Sequence, residues 1–375
     1  MSVIRDLGIT FLLAPFAVFA SAQNNVSFNH LAHSKSLKKY DDDFLKATAD
    51  TVMAYQFPSG GWPKNHQWQS SSPTEKDIEE RADVREAMAT TGIGSTIDNG
   101  ATTAEILFLT KLYNITGDSR YAESVRRGVS YLVDIQYANG GWPQFWPSRG
   151  AGYDGVPPYA DHITFNDDAM VNVMRLLSDV FNRRKPFDSY NLIDDSLAQR
   201  CRTAFDKGVQ CILDCQIRKD GKLTVWCQQH DEKTFAPAKA RAYELPSFTA
   251  HGETVGILML LMDLPNPSQE VRQSVYSAID WLNSHALRGV QFEYFTNADG
   301  KRDRRIVQTS DTTIVNWARY YDLDTEKPYY CDRDGIKRSE YSEVGYERRN
   351  GYSWLGDTPL TALKRFAEWS KQNPL

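Results

Sequence analysis

The chain has 375 residues, of which 41% are hydrophobic, 24% charged and 12% aromatic, and it carries a net charge of −5. This composition excludes a disordered chain and is enough for a large buried core. The negative charge excludes nucleic acid or an anionic membrane as the main partner, because both need a dominant basic surface, whereas an acidic polymer could still bind through local Arg and Lys clusters or a bridging cation.

At the N-terminus, Arg5, the apolar run Leu7 to Phe19 and the triplet Ala20-Ser21-Ala22 read as an export signal cleaved after Ala22. The run is too short for a membrane span, so the mature chain is expected to be soluble, in the periplasm or outside the cell. Residues 23–39 are expected to be flexible, and residues 40–375 to form one domain.

Apolar residues spaced three and four apart predict helices over Asp42–Tyr55, Asn99–Thr116, Arg120–Tyr137, Asp167–Phe181, Leu197–Gln216, Thr249–Met262, Ser268–His285 and Thr312–Tyr320. Asp98 and Asn166 are plausible N-caps. A repeat organises these elements: Gln56-Phe-Pro-Ser-Gly-Gly-Trp62-Pro63 recurs as Gln136-Tyr-Ala-Asn-Gly-Gly-Trp142-Pro143. A degenerate copy starts at Gln216 with Trp226 following, and a weaker fourth spans Phe295–Gly300. The three Gln residues are 80 positions apart. Two helices per repeat predict an all-α toroid with inner and outer rings, long rim loops and a few short strands; an open helical solenoid is the competing arrangement. The Trp-Pro loops could equally serve only to staple neighbouring repeats.

Five cysteines, Cys201, Cys211, Cys215, Cys227 and Cys331, leave at least one thiol without an intramolecular partner, and buried small hydrophobes are the expected role.

Four polar clusters carry candidate chemistry. Thr96-Ile-Asp98-Asn99-Gly-Ala-Thr102 offers hard oxygen ligands suited to calcium, or simply a helix cap. Tyr159-Ala-Asp161-His162-Ile-Thr-Phe-Asn166-Asp167-Asp168 offers more; capping explains Asn166 and Asp167 but leaves Asp161 as a candidate ligand. Lys239, Arg241 and Glu244 sit among small apolar residues, as an anion site or as a structural Arg241 to Glu244 pair. Arg302, Arg304 and Arg305 precede Trp317-Ala-Arg319-Tyr320-Tyr321, in which Arg319 lies among aromatics. No zinc helix, nucleophile elbow, P-loop or dinucleotide fingerprint is present in the sequence.

Together, Thr96-Ile-Asp-Asn-Gly-Ala-Thr102, Gly-Gly-Trp142-Pro-Gln, Asp161-His-Ile-Thr-Phe-Asn-Asp-Asp168, Trp226-Cys-Gln-Gln-His, Lys239-Ala-Arg-Ala-Tyr-Glu244 and Trp317-Ala-Arg-Tyr-Tyr321 resemble the pectate lyases of polysaccharide lyase family 10, from about Tyr40 to Leu363. The resemblance implies an (α/α)3 toroid and calcium-dependent anti-β-elimination on polygalacturonate, giving unsaturated oligogalacturonides. It further implies Arg319 as the base that removes the C5 proton and Asp98, Asn99 and Asp161 as calcium-associated residues. Lys239, Arg241 and Arg305 would hold uronate carboxylates, and Glu244, Trp142 and Tyr320 complete the expected substrate-binding set. Two other readings remain open at this point: a metal-independent glycoside hydrolase using two of Asp98, Asp161, Asp167 and Asp168, and a non-catalytic oligogalacturonate-binding protein. A monomer is the default.

Overall fold

The computed structural model describes residues 26–64, 94–147 and 159–375; the expected export signal lies outside the described residues. A short helix, α1 (Phe28–His33), comes first. Four amphipathic helices follow at intervals and form an outer ring: α2 (Asp42–Ala54), α4 (Ser119–Asp134), α6 (Asp195–Cys215) and α8 (Gln269–Ser284). Each begins where the sequence supplies an acceptor, with Asp41, Asp118, Asp194 and Ser268 taking hydrogen bonds from first-turn N–H groups. Between them lie α3 (Thr103–Thr116), α5 (Ala169–Phe181) and α7 (Glu253–Met262), the inner ring, and the largely exposed α10 (Pro359–Gln372) comes last. Helix α7 is buried on nearly every face, as its unbroken apolar run Ile257–Met262 requires. A further short helix, α9 (Tyr346–Gly351), precedes α10.

Helix α3 packs on α4, α5 on α6 and α7 on α8, which makes three helical hairpins; α10 closes against α7 and α8. The result is the expected α/α toroid. Its joints are built from the sequence repeat. Trp62, Trp142 and Trp226 are each completely buried, and their indole N–H groups donate to the carbonyls of Val52, Leu132 and Ile212 in the outer helix just before them. Gln56 donates to Gly60 and Ser124, Gln136 to Gly140 and Ala204, and Gln216 to Thr224 and Ser274. Each Gln therefore closes its own loop and ties it to the next outer helix. Glycine is required in that loop: Gly140 has φ 91°, and a Cβ there would lie 2.1 Å from the Lys207 carbonyl oxygen.

Short antiparallel strands join the loops at one rim. The strand β1 (Ser95–Thr96) pairs with β2 (Phe145–Trp146), β3 (Ile163–Thr164) with β4 (Gln229–His230), and β5 (Phe248–Thr249) with β8 (Tyr320–Tyr321). A long hairpin, β6 (Val290–Thr296) with β7 (Arg302–Gln308), stands beside this rim. Its inner residues Phe292 and Ile306 pack on a second core of Tyr243, Tyr320, Tyr329, Tyr330, Tyr341 and Trp354.

Some expectations are corrected. Residues 28–33 form α1, with Phe28, Leu31 and Ala32 buried. Residues 312–320 are not helical; Val315–Ala318 is a strand, in keeping with its β-branched and aromatic residues. Phe295–Gly300 is the hairpin tip rather than a repeat loop. The fourth equivalent of the repeat tryptophan is Trp317, whose indole donates to the Leu282 carbonyl at 2.8 Å. Asp98 and Asn166 do not cap helices: they lie in 3-10 turns, one turn before α3 and α5. All five cysteines are buried and unbridged.

Candidate active site

Three successive hairpins present the same local construction at the rim. A short strand ends at Thr96, Thr164 or Thr249, a tight turn follows, and an inner helix then begins. The turn contains a left-handed residue each time, Asn99 at φ 53°, Asp167 at φ 52° and Gly252 at φ 85°. Asn, Asp and Gly are the residue types that adopt this conformation at least cost. Thr96 and Thr102 serve the turn itself, since Thr102 Oγ1 donates to the Thr96 carbonyl and accepts from the Trp62 N–H.

On this frame Asp98 is buried. Its Oδ2 accepts from Lys64 Nζ, and its Oδ1 is buried without a hydrogen bond. Asp167, in the next repeat, has its carboxyl pKa raised by desolvation and then by the charge of Asp98, while Arg319 and Arg241 oppose the rise. Two carboxylates and two guanidinium groups therefore converge. Behind them runs a bonded chain: Arg319 Nη2 donates to Glu253 Oε1 at 2.7 Å, and Gln228 Nε2 bridges Glu253 and Asn166 Oδ1, the latter at 2.6 Å. Asn166 in turn donates to Asp167 at 2.8 Å. A second branch leaves Gln228 through Tyr320, at 2.7 Å, to Tyr352 and Glu244, whose carboxylate holds Arg241. Asp168 packs on α7 where only a glycine fits, since a Cβ at Gly256 would lie 1.9 Å from its Oδ1. Burial, and then the charge of Glu253, push the Asp168 carboxyl up to about 6. In the third loop His251 is kept neutral, first by burial and then by Arg319, with its pKa lowered to about 3.

Comparison with known proteins decides what this constellation belongs to. A sequence profile described as pectic acid lyase matches residues 39–363. The chain belongs to the pectic acid lyase family. Among solved structures, a family 10 polysaccharide lyase from Cellvibrio cellulosa superposes with a TM-score of 0.73 at 33% identity, covering 92% of this chain and 95% of that one. A mutant of a family 10 polysaccharide lyase from the same organism, in complex with trigalacturonic acid, gives 0.73 and 33%, with 91% and 95% covered. A comparison with proteins of curated function returned no match.

In this pectic acid lyase the expected site residues separate into three groups. Asp98, Asn99, Arg241, Glu244, Tyr320 and Arg319 belong to the rim loops and to the bonded network beneath them. Asn99 faces outward and, with Asp167, lines a cavity of about 460 Å³ between α3 and α5. The Arg319 side chain is 11% exposed; burial lowers its pKa, but Glu253 and then Tyr352 more than offset this and leave it raised well above the ordinary arginine value, and the Arg241 pKa is likewise raised, by Glu244. Tyr320 is fully buried and holds the network rather than offering a surface.

A second group lies elsewhere. Trp142 is completely buried in its joint, so it offers no ring face to a sugar. Lys239 is exposed near Cys331, and Arg305 is an exposed hairpin residue paired with Glu293. Asp161 makes up the third: its nearest charges are Glu232 and His162, and burial and then Glu232 raise its pKa. The motif reading missed Lys64, Glu253 and Tyr352, quoted Gln228 within a motif without giving it a role, and treated Asp167 mainly as a cap. Glu253 was findable, because Thr249-Ala-His-Gly-Glu253 aligns with Thr96-Ile-Asp-Asn-Gly and Thr164-Phe-Asn-Asp-Asp once the repeat is extended to the rim.

Proposed function

We propose that this lyase cleaves polygalacturonate by calcium-dependent β-elimination at the rim, with Asp98 and Asp167 holding the cation and Arg241 taking the proton. The buried, unbonded Oδ1 of Asp98 beside the repelled carboxyl of Asp167 carries this reading. Two hard oxygen donors, with burial and then the charge of Asp98 raising the pKa of Asp167, fit a calcium ion, and the neighbouring Asn99 adds a carboxamide oxygen. Asp161 is left out of this set because its charge partners are Glu232 and His162. Calcium, when bound, would neutralise the uronate carboxylate and so acidify the α-hydrogen at C5.

The chain's own groups supply the rest. A proton acceptor must touch the substrate, and Arg241, 38% exposed, is more accessible than Arg319 at 11%. Glu244 fixes the Arg241 guanidinium at Nε and Nη2, which orients it and also keeps it protonated. Arg241 therefore acts as a base only when a cationic site shifts it towards the neutral form, and this demands alkaline pH. Arg319, clamped by Glu253 and facing Asp167, suits a fixed positive charge against the developing enolate. The signal read over residues 1–22 would take the enzyme out of the cytoplasm and towards its polymeric substrate.

One assay tests the reading. Polygalacturonate is incubated with enzyme at alkaline pH, with calcium or with EDTA, while near-ultraviolet absorbance is followed. Calcium-dependent absorbance from the new conjugated double bond is expected; undiminished rates in EDTA would overturn the metal assignment, and reducing ends without absorbance would overturn elimination.

A further inference from the structure

Lys64 stands two residues after Trp62, at the position that Gln144 and Gln228 hold in the next two repeats. Where those repeats place a neutral amide, this one places an ammonium group directly on Asp98 Oδ2, with both side chains mostly enclosed, at 18% and 3% exposure. The ammonium also lies 5.4 Å from the centroid of the Phe145 ring, which gives it a second resting surface. A charged lysine on one oxygen of Asp98 and nothing on the other is an asymmetric arrangement, and a divalent ion using Asp98 must compete with that ammonium.

We propose that Lys64 is an exchangeable counter-ion: it neutralises Asp98 while the site is empty of metal, and metal binding releases it to grip a uronate carboxylate of the incoming chain. This rests on the calcium reading given above. The residue is suited to both positions, because an ammonium on a four-carbon stem can move a few ångströms without disturbing the Trp62 joint, and both of its anionic partners would lie at the same rim. Release also keeps the local charge in balance. With calcium on Asp98 the ammonium would be repelled from its old partner, and the substrate carboxylate then becomes the nearest anion for it. Metal loading and polymer binding are thereby linked through one side chain, so each strengthens the other.

The test uses the full enzyme and two variants, Lys64→Gln, which installs the residue type of the other repeats, and Lys64→Arg, which keeps the charge. Calcium binding is measured by titration calorimetry without substrate, and trigalacturonate binding is then measured at saturating calcium. Lys64→Gln is expected to bind calcium about tenfold more tightly and trigalacturonate about tenfold more weakly, with Lys64→Arg close to wild type in both. Unchanged calcium affinity in Lys64→Gln would overturn the proposal. So would tighter calcium binding with unaltered trigalacturonate affinity, because Lys64 would then be a counter-ion only. Wild-type enzyme that binds no calcium at all would instead overturn the metal reading on which the proposal stands, so the two failures are distinguishable.

Discussion

At the scale of single residues, the site rests on two arginines with different surroundings. Arg241 is partly open to solvent and Arg319 is enclosed behind it. Replacement of Arg241 by Ala is expected to lower kcat by at least about 10²-fold with oligogalacturonate still bound. Arg319→Lys tests the other role: a positive charge remains, but its hydrogen bond to Glu253 is no longer made by a planar fork. A fall in kcat of about tenfold, with the pH profile unmoved, is the expected result, whereas a displaced alkaline limb would make Arg319 the titrating base. Asp168 gives a prediction about pH. Its folded pKa of about 6 exceeds the ordinary aspartate value of 3.8, so ionisation costs stability progressively as pH rises through that interval. In EDTA, Asp168→Asn should therefore stabilise the metal-free protein by about 1–3 kcal/mol above pH 6 and leave it unchanged below pH 4, as read from urea midpoints.

Elements of structure were more legible than contacts between them. The recurring Gln-to-Trp segment has the same physical task in each repeat, closing a loop and seating an indole, so its 80-residue interval exposed the helical hairpins directly. The hairpin of β6 and β7 escaped notice because Arg302, Asp303, Arg304 and Arg305 obscure the alternation of apolar residues. In fact Asp303 is locked by Arg349 and Asn350, and Arg304 by carbonyls of α9 and the residue after it, so these charges are structural. The site motifs were visible as local words, but their pairing was not. Asp98 meets Asp167 through the packing of α3 against α5, while Asp161, only six residues before Asp167, is turned towards His162 by the intervening strand β3. The repeat joints can be tested in the same terms. Gln136→Ala removes one hydrogen bond that closes the second loop and one that links it to α6, and a loss of about 1–3 kcal/mol with an unchanged denaturant slope is expected.

For the molecule as a whole, a bound cation would act on stability as well as on chemistry. If calcium is held by Asp98 and Asp167, a concentration of one hundred times Kd should stabilise the fold by about 2.7 kcal/mol, and calorimetry should show a higher Tm. Asp98→Ala is expected to abolish that rise. The unbridged state of Cys201, Cys211, Cys215, Cys227 and Cys331 has a separate consequence. No covalent staple needs to form for this chain to reach its native state, so folding should be equally complete with or without dithiothreitol. Heat, by contrast, uncovers thiols that the native interior had sequestered. Scrambled cross-links between melted chains should then make inactivation irreversible in air, and reductant should restore the recovery of activity on cooling.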